Sequence, residues 1–281
     1  MKKLLVLIVV FGFAGVSWAT EEAGQTEKIE KKVEISKEAN DLLDKVELAA
    51  GKLKTYQAKM KYTMAQPELE IVTTQNGSIF YKVEKDAILA RMNFDDMLQQ
   101  DVDELEDDPA DWAKPVKFND DYVFDGMWLT RRNDRTKMIQ KWQVAKDKKD
   151  RDAFRIGKGP FPLPFSIKKD DLIKYFGIKI IVDKKLEAKE LKNTVHIELI
   201  PLKESVYAKE YVKLELWMDV KNYLPVQIRY EKGGDRCEIT TVLWTDIKID
   251  DKKGIAADIF IIDENIGAGW QKEVTPMKNK S

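Results

Sequence analysis

The spacing of apolar residues changes near residue 54. Before it, apolar side chains recur three and four positions apart, at Ala39, Leu42, Leu43, Val46, Ala49, Ala50 and Leu53. This period predicts one apolar face of a helix. Ser36 is the expected N-cap, and Gly51 lies close to the expected end. After it the period becomes two, which is typical of strands with one buried face.

About eleven strands are predicted from this alternation. The segments YQAKMKYTM, ELEIVTT, GSIFYKVEK and AILARMNF come first, and Asn76-Gly77 is expected to form a tight hairpin turn between the second and third. Asp125-Gly126 and Asn133-Asp134 are further turn sequences. Sequential strands with tight turns predict an antiparallel sheet, either closed or open and covered by helices.

The later part of the chain continues this pattern. A short helix is expected near residues 169–176, capped by Ser166 or Asp170. GIKIIVD, TVHIELIPL, the hairpin LELWMDVKNYLPVQIRYEK and RCEITTVLWTDIKID are predicted strands, and AADIFIID is a last short element. No Pro/Gly/Ser-rich linker divides the chain, which favours a single domain over residues 36–274 and a tail over 275–281.

The strands have an apolar and a polar face. In YVKLELWMD, Leu214, Leu216 and Met218 point one way, whereas Glu215 and Trp217 point the other. Finding Trp217 inside and Leu216 outside would therefore contradict this register. An ordinary core explains any single strand, but a large curved sheet has more inward surface than these helices can cover. We therefore expect an apolar ligand cavity.

The N-terminus predicts export. Lys2 and Lys3 precede an apolar run of about a dozen residues, and Ser17-Trp18-Ala19 resembles a cleavage site, so residues 1–19 are interpreted as a signal peptide. The run is short for a retained membrane anchor. Residues 20–35 form a charged leader that we expect to be flexible. The remaining 46 basic and 49 acidic side chains give a charge of −3, which argues against a nucleic-acid partner.

Catalytic chemistry has little support in the sequence. His196 is the only histidine and Cys237 the only cysteine, so an internal disulfide and a cysteine zinc cluster are both excluded. Cys237 is expected to be a small buried residue in a strand, and His196 a structural residue. Abundant carboxylates leave a glycosidase-type pair open. We expect no enzymatic activity, no cofactor and no metal site.

Two stretches carry a resemblance to a family. In DDYVFDGMWLTRRND the matching positions are Asp125, Gly126, Leu129 and Asn133. In LELWMDVKNYLPVQIRYEKGGD they are Asp219, Leu224, Pro225, Gly234 and Asp235. With the signal peptide, the first helix and the terminal DENIGAGWQ, these stretches resemble the LolA-like outer-membrane lipoprotein carriers over most of residues 36–274.

This resemblance implies a mainly β (α+β) fold, an incomplete antiparallel barrel with a long N-terminal helix and helical lid elements. It also implies a periplasmic carrier that binds acyl chains of lipoproteins or related lipids, exchanges them with membrane-bound donor and acceptor proteins, and is monomeric. The cavity lining is predicted to comprise Ile79, Tyr81, Met92, Phe94, Leu129, Trp142, Leu163, Phe165, Leu214, Leu216, Met218 and Ile228. A sensor module that detects lipoproteins and signals to a membrane partner, and an unrecognised hydrolase, are the alternatives.

Two segments depart from the shorter carriers. The acidic insertion 95–108 is interpreted as a solvated loop, with a docking surface for a basic partner as the alternative. The loop 157–165 is either a lid with Leu163 and Phe165 facing the cavity or a surface loop.

Overall fold

The computed structural model describes residues 35–101, 115–146, 168–182, 191–234 and 237–277. These residues belong to a compact unit that spans residues 33–281. The predicted signal peptide, the leader up to residue 34 and the loop 157–165, with Leu163 and Phe165, lie outside the described residues. Within the described ranges, no helix has both the length and the apolar character needed to cross a bilayer.

Helix α1 (Lys37–Lys52) confirms the predicted amphipathic helix. The Ser36 side chain accepts a hydrogen bond from the Ala39 N–H at 3.1 Å, which satisfies one of the unpaired donors of the first turn. Its buried residues are four of the predicted apolar positions, Ala39, Leu42, Leu43 and Val46.

The second helix, α2 (Lys169–Tyr175), confirms the predicted short helix but not its cap. Its N-cap is Lys168, whose side chain makes no capping hydrogen bond, and Asp170 lies inside the first turn. Ser166 lies outside the described residues. Lys169 donates a hydrogen bond to Asp44, which joins α2 to α1.

In the described residues, twelve strands form one sheet. They are β1 (Thr55–Gln66), β2 (Ile71–Val83), β3 (Ile88–Asp101), β4 (Val116–Phe124), β5 (Trp128–Asn133), β6 (Met138–Gln143), β7 (Phe176–Ile181), β8 (Thr194–Pro201), β9 (Tyr211–Asp219), β10 (Pro225–Lys232), β11 (Glu238–Ile249) and β12 (Gln271–Thr275). The order is β12-β6-β5-β4-β3-β2-β1-β11-β10-β9-β8-β7.

The sheet is open, and it confirms the predicted fold class. In the part of the chain that is described, β12 and β7 are its two edges and do not pair with each other. Neighbouring strands are antiparallel except β12, which lies parallel to β6. The sequence predicted about eleven strands and missed β12, while AADIFIID contains the short 3-10 turn Ala257–Phe260.

Strand β1 joins two meanders in the middle of the sheet. It pairs with β2 on one side and with β11 on the other, so the meander β1–β6 meets the meander β7–β11 there. The Asp250 carboxylate accepts hydrogen bonds from the backbone N–H groups of Lys54 and Thr55, at 2.9 and 2.8 Å. The start of β1 is therefore fixed to the end of β11.

The predicted turn at Asn76-Gly77 is wrong. Both residues lie inside β2, and the hairpin between β1 and β2 turns instead at Pro67–Leu69. The register between β2 and β3 shifts between Asn76 and Gly77, which marks a β-bulge. A Cβ on Gly77 would lie 1.8 Å from the Asn93 carbonyl oxygen, so the glycine serves close approach of two strands and not a turn.

The start of the acidic insertion is a strand. Residues 95–101 continue β3 and pair with β2, for example Asp96 opposite Asn76 and Asp101 opposite Ile71. The interpretation of the whole of 95–108 as a loop is therefore wrong for its first seven residues, because pairing with β2 satisfies the backbone whatever the charge of the side chains. Residues 102–108 lie outside the described residues.

The other predicted turns are confirmed. The Asp125 side chain accepts hydrogen bonds from the N–H groups of Met127 and Trp128, and Gly126 has φ 98°. In the turn between β9 and β10, Asp219 accepts from the N–H groups of Lys221 and Asn222. Pro225 then begins β10.

The segment after β11 crosses the first meander before it joins the edge. Arg91 on β3 donates to the Ile259 carbonyl at 2.9 Å, and Arg132 on β5 donates to the Asp263 carbonyl at 2.8 Å. Hydrogen bonds from Lys141 and Lys272 lower the pKa of Glu264. These contacts guide the chain to the edge, where it forms β12.

Candidate functional site

One face of the sheet is continuous from strand to strand, and we call it the core face. Leu216 on β9 lies opposite Ile197 on β8 and Ile228 on β10. The register carries this face on through Val242 on β11 and Tyr62 on β1. Because side chains alternate along a strand, every second residue from these positions lies on the same face.

The described candidate residues all lie on the core face. Across the first meander, Ile79 lies opposite Met92, and Leu129 lies opposite Trp142. Nine of the ten are buried, from 0% exposed at Met218 to 8% at Met92, and Trp142 is half-buried. The ten are Ile79, Tyr81, Met92, Phe94, Leu129, Trp142, Leu214, Leu216, Met218 and Ile228. Such low exposure means that these side chains pack against other protein groups, and their contact with a ligand stays a prediction.

The position of Trp217 agrees with the register predicted for β9. Leu216 lies on the core face, and Trp217 points to the opposite face, where its ring stacks on His196 with centroids 4.1 Å apart. The predicted assignment of faces on β9 is therefore confirmed. The opposite face is less exposed to solvent than predicted at this position, because Trp217 is only 6% exposed.

The core face has an apolar part, which we call the apolar layer. It includes Leu216, Ile228 and Val242, which are cross-strand neighbours on β9, β10 and β11, and Ile79 opposite Met92 on β2 and β3, together with Leu129 on β5. On β1 and β2, towards the hairpin that joins them, the side chains on the same face become polar.

A buried ion pair occupies this polar part on β4 and β5. Arg131 donates from Nε and Nη2 to the two carboxylate oxygens of Asp120, at 2.8 and 2.7 Å. Asp120 is 0% exposed and Arg131 6%, and the Tyr122 hydroxyl donates to Asp120 at 3.3 Å. Burial lowers the pKa of Arg131, but its hydrogen bond to Asp120 outweighs this and leaves the pKa above its usual value.

Two polar residues on β2 have no such pairing. The Oε1 atom of Gln75 and the Oγ1 atom of Thr73 are buried without a hydrogen-bond partner among the described residues. Gln75 is 1% exposed and Thr73 5%. Gln75 lies opposite Tyr62 on β1 and Met97 on β3, which places both β2 residues on the core face.

Tyrosine and threonine hydroxyl groups extend the polar part of the core face to β11. Side-chain hydrogen bonds join Tyr62 to Tyr230 and Thr240, and burial raises the pKa of Tyr62. The Tyr62 ring also packs edge-to-face on Phe94, with centroids 5.9 Å apart. We call the whole group the polar belt, and it consists of Tyr62, Thr73, Gln75, Asp120, Arg131 and Thr240.

The opposite face carries a second buried carboxylate. Glu215 is 6% exposed and lies 2.9 Å from Arg229, 3.2 Å from the Nε2 atom of His196 and 3.3 Å from Lys213. Burial raises the pKa of Glu215, but the hydrogen bond with His196 and the charges of Lys213 and Arg229 outweigh it and lower the pKa to about 2. The predicted structural histidine thus belongs to a charged cluster.

The chain does not bring His196 and Cys237 together. His196 pairs with Trp217, Trp217 with Gln227, and Gln227 with Leu243 on β11. Cys237 lies six residues before Leu243 in the sequence, and six residues of strand span about 20 Å. Cys237 is half-buried and immediately precedes β11, so its predicted position inside a strand is wrong. Within the described ranges, no three His, Cys, Asp or Glu residues are grouped as metal ligands.

The sequence analysis missed the polar belt. Its signal was present in the alternation, because Asp120 shares a phase with Tyr122, and Arg131 shares one with Leu129. In DDYVFDG and LTRRN the turn sequences that flank each strand are the stronger signal and conceal this phase. Gln75 was missed because it was placed next to a turn that the structure does not contain.

Comparison with solved structures finds resemblances at low sequence identity. A LolA superfamily protein from Nitrosomonas europaea matches with 12% identity over 80% of this chain and 97% of its own, at a TM-score of 0.34. The lipoprotein LppX from Mycobacterium tuberculosis matches with 10% identity over 75% of this chain and 96% of its own, at a TM-score of 0.37.

The Pseudomonas aeruginosa MucA/MucB complex also matches, with 13% identity, 80% coverage of this chain and a TM-score of 0.43. The chain spans only 61% of that matched chain, and 65% of a second structure of MucB. Neither a protein-family model nor a curated protein matches the sequence.

Proposed function

We propose that this protein is an exported, monomeric carrier that binds the acyl chains of lipoproteins or related lipids against the apolar layer. The observation that carries the proposal is the apolar layer, in which Leu216, Ile228 and Val242 are direct cross-strand neighbours on three strands. Each methylene that such a surface takes from water contributes about 0.8 kcal/mol, enough to offset departure from a membrane.

Binding requires an exchange of contacts. The apolar side chains are packed against protein groups, so an acyl chain has to replace some of those contacts. Four methionines on the core face, Met60, Met64, Met92 and Met218, are suited to this exchange because an unbranched thioether changes shape at low cost. In this proposal membrane-bound donor and acceptor proteins load and unload the cargo.

The test is native mass spectrometry with lipid extraction on the protein purified without detergent from the periplasm of its host. Two matched variants accompany the wild type. Trp142→Lys places a charge on the core face, and Trp128→Lys places it on the opposite face of the neighbouring strand. Both tryptophans are half-buried, so the two substitutions disturb folding to a similar extent.

The carrier predicts acylated cargo on the wild type and on Trp128→Lys. At least tenfold less cargo is expected on Trp142→Lys, because burying an unpaired charge beside an acyl chain costs several kcal/mol, on the order of a hundredfold or more in affinity. Circular dichroism checks that both variants are folded. Absence of cargo from the wild type, or equal loss in the two variants, would contradict the proposal.

A second candidate function is an interaction module that uses the sheet only as a scaffold. The complete burial of residues such as Met218 and Leu216 favours it, since a packed face holds no ligand until it opens. In that case the wild type carries no lipid in the experiment above and forms a stable complex with a membrane protein instead, through the acidic residues 95–108.

A further inference from the structure

The apolar layer suits the hydrocarbon chain of an amphiphile, and the polar belt suits its polar head. The apolar layer and the polar belt share one side of the sheet, so a molecule lying along β2 passes from one to the other. From Gln75 to Tyr81 the strand extends about 20 Å, which leaves room for a hydrocarbon chain beside a head group.

The unpaired oxygen of Gln75 needs a hydrogen-bond donor, and the unpaired hydroxyl of Thr73 can accept from the same group. Nearly all buried polar atoms in proteins are paired, and an unpaired one is destabilising relative to an apolar residue of the same shape. Gln75 and Thr73 both break this rule on the same face of one strand, two residues apart. The carboxamide oxygen of Gln75 can only accept, so its missing partner carries an O–H or N–H group.

The charge of the polar belt excludes an anion as that partner. The belt contains one cation, Arg131, and a bidentate interaction with Asp120 neutralises it. Close by, Lys232 is paired with Glu238 at 3.0 Å. A phosphate or carboxylate buried here would meet no net positive charge among the described residues, and burying a charge without an opposite one is strongly unfavourable.

We infer that the polar belt binds the uncharged, hydrogen-bond-donating head of the cargo, while its acyl chains lie on the apolar layer. This inference rests on the proposed carrier function and names the class of ligand. A glycerol hydroxyl and the amide N–H of an N-acylated chain share the required chemistry. Phospholipids and ionised fatty acids do not fit, because their heads carry a charged phosphate or carboxylate, and simple esters lack a donor.

The experiment compares four ligands that differ only at the head. 1-Monooleoylglycerol offers hydroxyl groups and N-ethyloleamide an amide N–H, methyl oleate offers no donor, and oleate is an anion. Each displaces diphenylhexatriene from the full-length mature protein after lipid removal on a hydrophobic resin. The variants are the double substitution Thr73→Val with Gln75→Leu, and the control Thr74→Val, whose side chain lies on the opposite face of β2.

The wild type and Thr74→Val are expected to bind monooleoylglycerol or N-ethyloleamide about tenfold more tightly than methyl oleate, the gain from two net hydrogen bonds. The double variant is expected to lose this preference with its affinity for methyl oleate unchanged. The donor ligand whose affinity exceeds that of methyl oleate by more shows whether the natural head is a glycerol hydroxyl or an amide.

Two results would overturn the inference while leaving the carrier intact. One is equal affinity of the wild type for methyl oleate and the two donor ligands, or tighter binding of oleate. The other is a double variant that weakens binding of all four ligands alike, since the two polar side chains then only support the fold. Failure of all four ligands to displace the probe from the wild type would instead refute the carrier function, and this inference with it.

Discussion

At Gly77 the backbones of β2 and β3 approach more closely than any side chain allows. Replacing it with alanine puts the new methyl group against the Asn93 carbonyl, and backbone atoms on both strands have to move. We expect Gly77→Ala to lower the free energy of unfolding by about 3 kcal/mol or more, measured by urea denaturation.

Gly51 is the matched control for this substitution. It lies in the last turn of α1, and a Cβ there would meet nothing within 4 Å. Gly51→Ala should therefore leave stability unchanged or raise it by about 0.5–1 kcal/mol, since alanine is the better helix former. Similar effects of the two substitutions would show that β2 and β3 are not in close contact at the bulge.

Glu215 makes stability depend on pH. Its folded pKa of about 2 is below the ordinary value of 4.5, so its contribution is complete above about pH 4.5 and is lost as the pH falls towards 2. Glu215→Gln should lower the free energy of unfolding by about 2 kcal/mol at pH 7. The difference from the wild type should shrink between pH 4.5 and 2, as measured by thermal unfolding across that range.

An exposed glutamate provides the reference for this effect. Glu204 lies on an exposed turn, and Glu204→Gln should change stability by less than about 0.5 kcal/mol at pH 7. A difference between wild type and Glu215→Gln that stays constant down to pH 2 would contradict the assignment of the interaction to the ionised carboxylate.

Single residues were predictable where one local pattern decides their position. Ser36 could be recognised as a cap, and Leu216 as a core residue, from a few neighbours in the sequence. Gly77 could not, because Asn-Gly is also a common turn sequence and the deciding contact comes from Asn93 on another strand. Gln75 was obscured by the same misplaced turn.

Among the elements, β12 depends most on the rest of the chain. It is short and exposed, and it adds to β6 in parallel, from Gln271 opposite Met138 to Thr275 opposite Trp142. Deleting residues 271–281 should speed hydrogen exchange of the β6 amides, because β6 then becomes the edge strand.

Deletion of residues 278–281 alone is the control for this prediction, since it leaves all five β12 residues in place. Exchange measured by mass spectrometry should show no change in β6 for this shorter deletion. Unchanged exchange in both deletions would show that β12 does not protect β6 in solution.

Elements with a strong internal period were predicted well. Helix α1 and the β9–β10 hairpin follow from alternation and turn chemistry inside a few residues. In contrast, β12 has no apolar face to reveal it, and its pairing depends on contacts of the preceding segment with Arg91 and Arg132 far back in the chain. Such contacts leave no periodic signal in the sequence.

At the scale of the whole unit, the first helix and the last described segment are each attached to the opposite meander. Helix α1 precedes the first meander but contacts α2 and β7 of the second. The segment after β11 follows the second meander but is held by Arg91, Arg132 and Lys141 of the first. Neither meander can unfold without releasing an element that belongs to the other.

This interleaving predicts cooperative unfolding. Far-ultraviolet circular dichroism follows the entire sheet, and fluorescence follows tryptophans in both meanders, such as Trp128 and Trp217. We expect the two signals to change together in urea, with one midpoint. Two separate midpoints would show that the meanders are independent.

The core face as a whole was predictable from the sequence, whereas its division was not. Alternating apolar residues on each strand were sufficient to place ten candidate residues on one side of the sheet. The polar belt required the register of β11, β1, β2, β3, β4 and β5, which only the assembled sheet supplies. Individual strands therefore revealed the apolar layer but not the polar belt.

An open sheet also has to avoid growing by addition of another molecule's strand. The two edges in the described part of the chain are β12 and β7. At one edge, β12 is only five residues long and carries Lys272 and Glu273, and at the other Lys179 interrupts the apolar run of β7. Short length and charge disfavour edge-to-edge association. Neutralising these charges would be expected to promote aggregation before it affects the fold.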